Sequence, residues 1–467
     1  MYDPNRSDLQ NALLVIKNLS TYLDAMFTRS GQRGGTEMPG SKYLGKALPR
    51  LEDADLVTGS STFTDDIKIP DCLYLVIVRS PYPHAVIRKI ETSSAHKIPG
   101  FLAAYNGADL KAWLKPIPLP PQSANVRPHS RYPLAIDRVR YVGEGVVAIV
   151  GESLAAAVDA AAEVIVEYDE LPAVVDPEKA ILPDAPRIHP EWTDNIAFSY
   201  SQQYGDVNSA FRQADAVIEL ASANQRVYPA FMEPRSAAAV FDHDTGQLTV
   251  WASTQTPHTL RSGIALILNI PESQIRVISP HVGGAFGAKS GLQPEYLLVA
   301  ALAWKLGRAI KWLETRHESM LATTHARDQR QHVCAAFRRD GTLLGMTIDI
   351  TSNIGAWNAS PTRPTILLTI MAATGPYRVP AVRLDARCVV TNTTPIAPYR
   401  GNGRPEATFL LERVMDMAAA RLGLDPVTIR EKNLLRPEDF PYTSPTGVPY
   451  DSGNYPAVLA EALRRFD

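Results

Sequence analysis

The sequence reads as a mixed α/β protein, class α+β, of about three domains by length. Three observations carry that reading. The chain has 467 residues, 45% of them hydrophobic, with both charge signs interspersed, enough for several ordinary cores. Val146 to Val150, Ser153 to Ala162 and Val164 to Tyr168 read as strand, helix and strand with short connections, an α/β layer unit. Further on, a β-branched strand (Ile275 to Ser279) leads through a glycine loop into an apolar helix, Pro294 to Leu306, opened by proline and closed by Gly307.

In chain order, residues 1–41 read as an appendage. Leu9, Leu13, Leu14, Ile16 and Leu19 mark an amphipathic helix with Ser7 and Gln10 as its capping box, and a Gly/Ser-rich linker, Ser30 to Ser41, follows. Lys17 and Asp24 interrupt the apolar residues, which argues against a secretion signal. A compact domain is expected over 42–180, with Leu73 to Val78 as a buried strand before the turn Ser80-Pro81-Tyr82-Pro83. Proline-rich stretches fall at Pro116 to Pro121 and Pro172 to Pro190, and the second is taken as a domain boundary.

The next domain is expected over 190–436. A short helix through Ala210, Phe211 and Ala214 leads to a strand, Ala216 to Leu220. Another strand, Leu248 to Ala252, hands over at Ser253-Thr254-Gln255 to a helix with Thr256 as cap, Pro257 at its first position and Leu260, Ile264 and Ile267 as its apolar face. Asp340-Gly341 between Val333 to Arg338 and Leu343 to Ile348 signals a hairpin. Ala397 to Pro405 forms a loop bearing glycines and arginines before a helix from Glu412 to Leu422. Residues 437–467 begin a further domain, whose helix after Asn454 places Val458, Leu459 and Leu463 on one face.

Composition excludes several classes of function. A net charge of −2 with no basic stripe argues against nucleic-acid binding. No apolar run suffices for a bilayer span, so a cytoplasmic protein is expected. The three cysteines, Cys72, Cys334 and Cys388, are too scattered for a disulfide framework or an iron–sulfur cradle. No zinc-protease spacing occurs among the histidines, and His317, His325 and His332 are too irregular for a helical ligand face. His258 and His281 read as capping or core residues, and Glu233-Pro234-Arg235 as an ion-paired turn or a substrate contact.

The loop Gly283-Gly284-Ala285-Phe286-Gly287-Ala288-Lys289 carries the chemistry. Glycine permits positive φ and close approach of a ligand to the main chain, and a strand-to-helix loop can turn several N–H groups on one anion or oxo group. It is not a phosphate loop, because Ala288 stands where glycine must precede Lys289-Ser290. The spacing of Gly284 and Gly287 also fails the dinucleotide fingerprint. Gln255 sits at a similar strand-to-helix mouth, so both loops could face one ligand.

From Tyr43 onward the chain resembles the molybdenum-binding large subunit of the xanthine dehydrogenase, aldehyde oxidase and carbon monoxide dehydrogenase family. The resemblance rests on Tyr43-Leu44-Gly45-Lys46, Pro49 to Asp53, Val78-Arg79-Ser80-Pro81, Met232-Glu233-Pro234-Arg235, Gln255-Thr256-Pro257-His258, Gly283 to Lys289, Gly375-Pro376-Tyr377-Arg378 and Tyr399 to Ala407, in family order. It implies an a/b hammerhead domain, a first molybdopterin-binding domain and the start of a second. The implied cofactor is molybdenum on molybdopterin, in its cytosine dinucleotide form, with no protein side chain on the metal.

By motif match, Gln255 would contact an oxo group and Gly284, Ala285, Phe286 and Gly287 would approach the metal and pterin. Phe286 would shape the pocket and Arg400 would lie near cofactor or substrate. The implied reaction is hydroxylation of an aldehyde or N-heterocycle with water as oxygen source. Electrons would pass to iron–sulfur clusters and FAD on partner subunits. The family's base, a glutamate in a Gly-Val-Gly-Glu-like motif, is absent from this sequence, so a further chain supplying a C-terminal molybdopterin domain is expected. The alternatives are a truncated, non-catalytic family member or a carbon monoxide dehydrogenase-like subunit. Ser290 stands where purine-acting members carry glutamate, and the Tyr399-Arg400 loop lacks the copper-binding cysteine of carbon monoxide enzymes.

Overall fold

The computed structural model describes residues 43, 45–119, 126–359 and 366–466. The expected appendage helix and linker of 1–41 lie outside these residues. The chain divides into two compact units, up to Ser61 and from Thr62 onward. In the first, a short helix, Asp53–Thr58, ends on Gly59 at φ 76.

The second unit contains strands β1 (Leu73–Arg79), β2 (Ala85–Glu91), β3 (Phe101–Asn106), β4 (Arg138–Val139), β5 (Gly145–Gly151), β6 (Ile165–Glu170), β7 (Ile196–Tyr204), β8 (Ala216–Val227), β9 (Ser236–Asp242), β10 (Gln247–Ala252), β11 (Ile275–Ile278), β12 (Ile310–Leu313), β13 (Ala326–Phe337), β14 (Leu343–Gly355) and β15 (Val382–Val390). Its principal helices are α1 (Leu154–Ala162), α2 (Pro257–Leu268), α3 (Pro294–Leu306) and α4 (Arg404–Leu422). Among the described residues no helix is long and apolar enough to cross a membrane.

A seven-stranded sheet runs in the order β11-β10-β9-β12-β1-β5-β3. It crosses the proline-rich stretch between 172 and 190: β1 pairs in parallel with β12, Leu73 opposite Ile310. All seven residues of β5 are buried. Ala148 and Val150 join the core with α2 and α3, while Val146, Val147 and Ile149 join the core with α1 and the three-stranded sheet β4-β2-β6, so β5 is covered on both faces and lacks polar alternation. Helix α3 is apolar all round and buried from Glu295 to Ala303, as such a helix must be. It ends on Gly307 at φ 61.

A five-stranded sheet, β7-β15-β14-β13-β8, packs one face against α4. The hairpin at Asp340-Gly341 joins β13 to β14 in antiparallel register. Strand β8 runs on to Val227, well past Leu220, because its small and polar residues Ala221 to Asn224 still pair with β13. Helix α4 starts at Arg404 rather than Glu412: Gly403 takes φ 83 and Pro405 fits the first turn, where no N–H partner is needed. Thr256 precedes α2 but its side chain makes no cap; Oγ1 accepts instead from Gly291 N–H at 3.0 Å.

Candidate functional site

Three loops interlock at the ends of β10, β11 and the segment before α4. Gly284 and Gly287 have φ of 93 and 108, where glycine is at home. The intervening Phe286 also takes a left-handed φ of 55 and is 44% exposed, while Ala285 is buried. Gly287 N–H donates to Gln255 Oε1 at 2.8 Å, and Gln255 N–H donates to Lys289 O at 3.0 Å. Arg400 N–H donates to Phe286 O at 2.8 Å. A Cβ on Gly287 would stand 2.2 Å from Pro398 O, so only glycine permits this approach.

The structure therefore brings Gln255, the Gly284–Gly287 backbone and the backbone of Arg400 together. Because a peptide N–H fixes the Gln255 carboxamide oxygen, its Nε2 is left to donate elsewhere. Among the described residues, the N–H groups of Gly284, Ala285 and Phe286, Gln255 Nε2 and the Arg400 guanidinium have no acceptor. Three consecutive unpaired amides beside the free Gln255 carboxamide nitrogen suit an anionic, oxygen-rich ligand.

Beneath this surface lies a layer of charge. Glu233 Oε2 accepts from Gly283 N–H at 2.8 Å, Ser253 Oγ at 2.7 Å and Lys289 Nζ at 2.9 Å. Lys289 is fully buried, and its ammonium also donates to Glu233 O at 2.7 Å and Ser253 Oγ at 2.8 Å. All three donors are spent, so Lys289 anchors the loop from below and has none left for a phosphate. Burial holds its pKa below the ordinary lysine value against the pull of Glu233. The turn Glu233-Pro234-Arg235 is ion-paired at both charged residues.

Arg235, also fully buried, meets Glu314 at 2.5 Å and Glu295 at 2.7 Å. Burial opposes its charge, but these carboxylates outweigh it and raise the guanidinium pKa. Burial likewise pushes Glu295 up, yet Arg235 and Arg79 bring it down to about 2.

Arg327 was not anticipated from the sequence. It and Asp328 take φ of 64 and 60 at the start of β13, a non-glycine pair in the left-handed region. Such residues cost roughly 1–3 kcal/mol each and persist only where surroundings over-determine them. Here the twist carries the Arg327 guanidinium 5.2 Å from the Tyr399 ring, to Glu406 Oε2 at 2.8 Å and to Arg400 O at 3.3 Å. It clamps the third loop to the start of α4. Glu406 lies 79 positions away, so no local spacing could have revealed the pair.

Of the two histidines, His258 is exposed in the first turn of α2. His281 holds the segment at Thr62 through its backbone N–H (3.2 Å to Thr62 O) and places its ring Nδ1 3.3 Å from the same oxygen.

The family model for the molybdopterin cofactor-binding domain matches residues 188–434, and that for the aldehyde oxidase and xanthine dehydrogenase a/b hammerhead domain matches residues 58–172. The nicotine 6-hydroxylase large subunit of Paenarthrobacter nicotinovorans is 35% identical over 419 residues, 89% of this chain and 51% of that one. The nicotinate dehydrogenase large molybdopterin subunit of Eubacterium barkeri is 31% identical over 393 residues, 84% of this chain and 89% of that one. The crystal structure of quinoline 2-oxidoreductase from Pseudomonas putida 86 superposes with a TM-score of 0.85 at 35% identity, covering 90% of this chain and 55% of that one. The chain thus spans about half the length of the first and third of these relatives, and most of the second.

Proposed function

The chain belongs to the aldehyde oxidase and xanthine dehydrogenase family of molybdopterin-binding large subunits, and from that premise we propose that it forms part of a hydroxylase for an aldehyde or N-heterocycle. The observation that carries this reading is the set of unspent donors at the three loops: the N–H groups of Gly284, Ala285 and Phe286, the Gln255 amide and the Arg400 guanidinium. These residues fit an oxo- and phosphate-bearing cofactor. When bound, the molybdenum pterin supplies the two-electron redox chemistry, with water as oxygen source.

The chain's own residues orient and enclose. Gln255 would donate its Nε2–H to an oxo group, with Gly287 N–H holding the amide in place. The half-exposed Phe286 offers an apolar wall for a planar substrate. Arg400, unpaired at its guanidinium and held at its backbone by Phe286 and Arg327, would take an anionic oxygen of cofactor or substrate. Ser290 favours substrates other than purines, since its hydroxyl is turned inward onto Gly287 O and carries no charge. Gly401 argues against the copper chemistry of carbon monoxide enzymes: it offers no thiolate, and at φ 96 a Cβ would meet Pro405 Cγ at 2.5 Å.

None of the residues named at this site is assigned as the general base; their role here is to hold and orient. Iron–sulfur and FAD subunits would take the electrons, in a cytoplasmic complex, and the cytosine dinucleotide form of the pterin is the one we expect.

Expressing the chain alone and with the complementary half in trans tests the proposal. Bound molybdopterin and hydroxylase activity should appear only in the second sample. Activity of these residues alone would overturn the reading that they form only part of the cofactor site, and absence of pterin from both samples would favour a non-catalytic protein.

A further inference from the structure

The outer face of the five-stranded sheet carries a cluster that helical spacing could not disclose. His332 and Cys334 are alternate residues of β13, so both side chains stand on one face. Glu219 lies directly opposite Cys334 on the edge strand β8. Its carboxylate accepts from His332 Nε2 at 2.8 Å, and the sulfur, nitrogen and oxygen all lie within 4.8 Å of one another.

We propose that Glu219, His332 and Cys334 form a site for a zinc-class divalent cation. Thiolate, imidazole and carboxylate together are the donor set of a borderline-soft ion, and three protein ligands leave a fourth position for water. Typical zinc bond lengths in a tetrahedron place such donor atoms roughly 3.4 to 3.6 Å apart. Closing the present cluster to that spacing asks for rotamer shifts of about an ångström or so on side chains that are partly or fully exposed.

Competing partners are few. Among the described residues no lysine or arginine pairs with Glu219. Asp349, across from His332 on β14, is occupied by Arg387 at 2.7 Å and stays out of the set. A surface Glu–His contact alone would leave Cys334 unexplained. Two ligands on β13 and one on β8 would let the ion staple the sheet's edge strand to its neighbour.

Titration of the full chain with cobalt(II) as probe tests this. One equivalent should bind with a thiolate-to-cobalt absorption band, and zinc(II) should displace it. Cys334→Ser should abolish the band. His332→Ala and Glu219→Gln should each weaken binding by at least about tenfold, since losing a ligand should cost no less than losing an outer-shell partner. All three positions lie on the outer face of the sheet, so circular dichroism should be unchanged. Absence of the band, its survival in Cys334→Ser, or affinity unmoved by the other two substitutions would overturn the site.

Discussion

Replacing Glu233 by glutamine removes one charge and almost no volume. Its Oε2 is shared by Gly283 N–H, Ser253 Oγ and Lys289 Nζ, all within 2.9 Å, whereas Oε1 is buried without a partner. A glutamine oxygen could still accept at the first position, so the main loss is the counter-charge of a fully buried ammonium. Breaking such a pair from one side costs about 3–5 kcal/mol.

The pH dependence gives the sign. Burial already holds the Lys289 pKa below its unfolded value, about 10.4, and Glu233 opposes that depression. Without Glu233 the folded-state pKa falls further. Between it and the unfolded value the unfolded chain binds more protons, so stability rises with pH. The deficit of Glu233→Gln, measured by urea unfolding, should therefore be largest near pH 7 and shrink toward pH 10. A deficit below about 1 kcal/mol, or one independent of pH, would refute the assignment of Lys289 as a charged anchor under the glycine loop.

Other outcomes follow from the same structure. Arg327→Lys in the assembled enzyme should lower turnover roughly ten- to hundredfold with little change in unfolding, because one ammonium cannot span Glu406 and Arg400 O in a planar fork; equal losses of stability and activity would count against it. Burial holds His129 at about 4 and His189 at about 3, below their unfolded values near 6.5. The unfolded chain thus takes up protons first on acidification, and denaturation midpoints should drop from about pH 6.5 downward, less so in a His189→Asn variant. A flat profile would contradict this. Copper should confer no carbon monoxide oxidation on the assembled complex, nor on its Gly401→Cys variant, given the contact with Pro405; copper-dependent turnover of the gas would disprove it.

Signals that act within a dozen residues were legible in the sequence. Proline at the start of α3 and Gly307 after it marked that helix, and Asp340-Gly341 marked the turn between β13 and β14. The meeting of Gln255 with the glycine loop could be anticipated because both lie at strand ends. What holds the loops together could not. Glu233 and Lys289 are 56 positions apart and Arg235 and Glu314 are 79 apart, and charge type alone does not select partners at that range. His332 and Cys334 were masked by the wrong period: three histidines tested against a helix make no face, while a strand puts every second residue together. Thr256 was misjudged as a cap because Gly291 N–H, distant in sequence, competes for its hydroxyl.

The pairing of β1 with β12 bears on any attempt to build chimeras among relatives of this chain. A graft cut in the proline-rich stretch would tear a hydrogen-bonded sheet, separating β3, β5 and β1 from the four strands beyond. It would also strip Arg79, nearly buried, from Glu295 at 3.2 Å and Glu318 at 2.9 Å. A transplanted front portion must bring an arginine at that place and a strand edge in register with Ile310. Otherwise the recipient inherits two bare edges and a pair of stranded carboxylates.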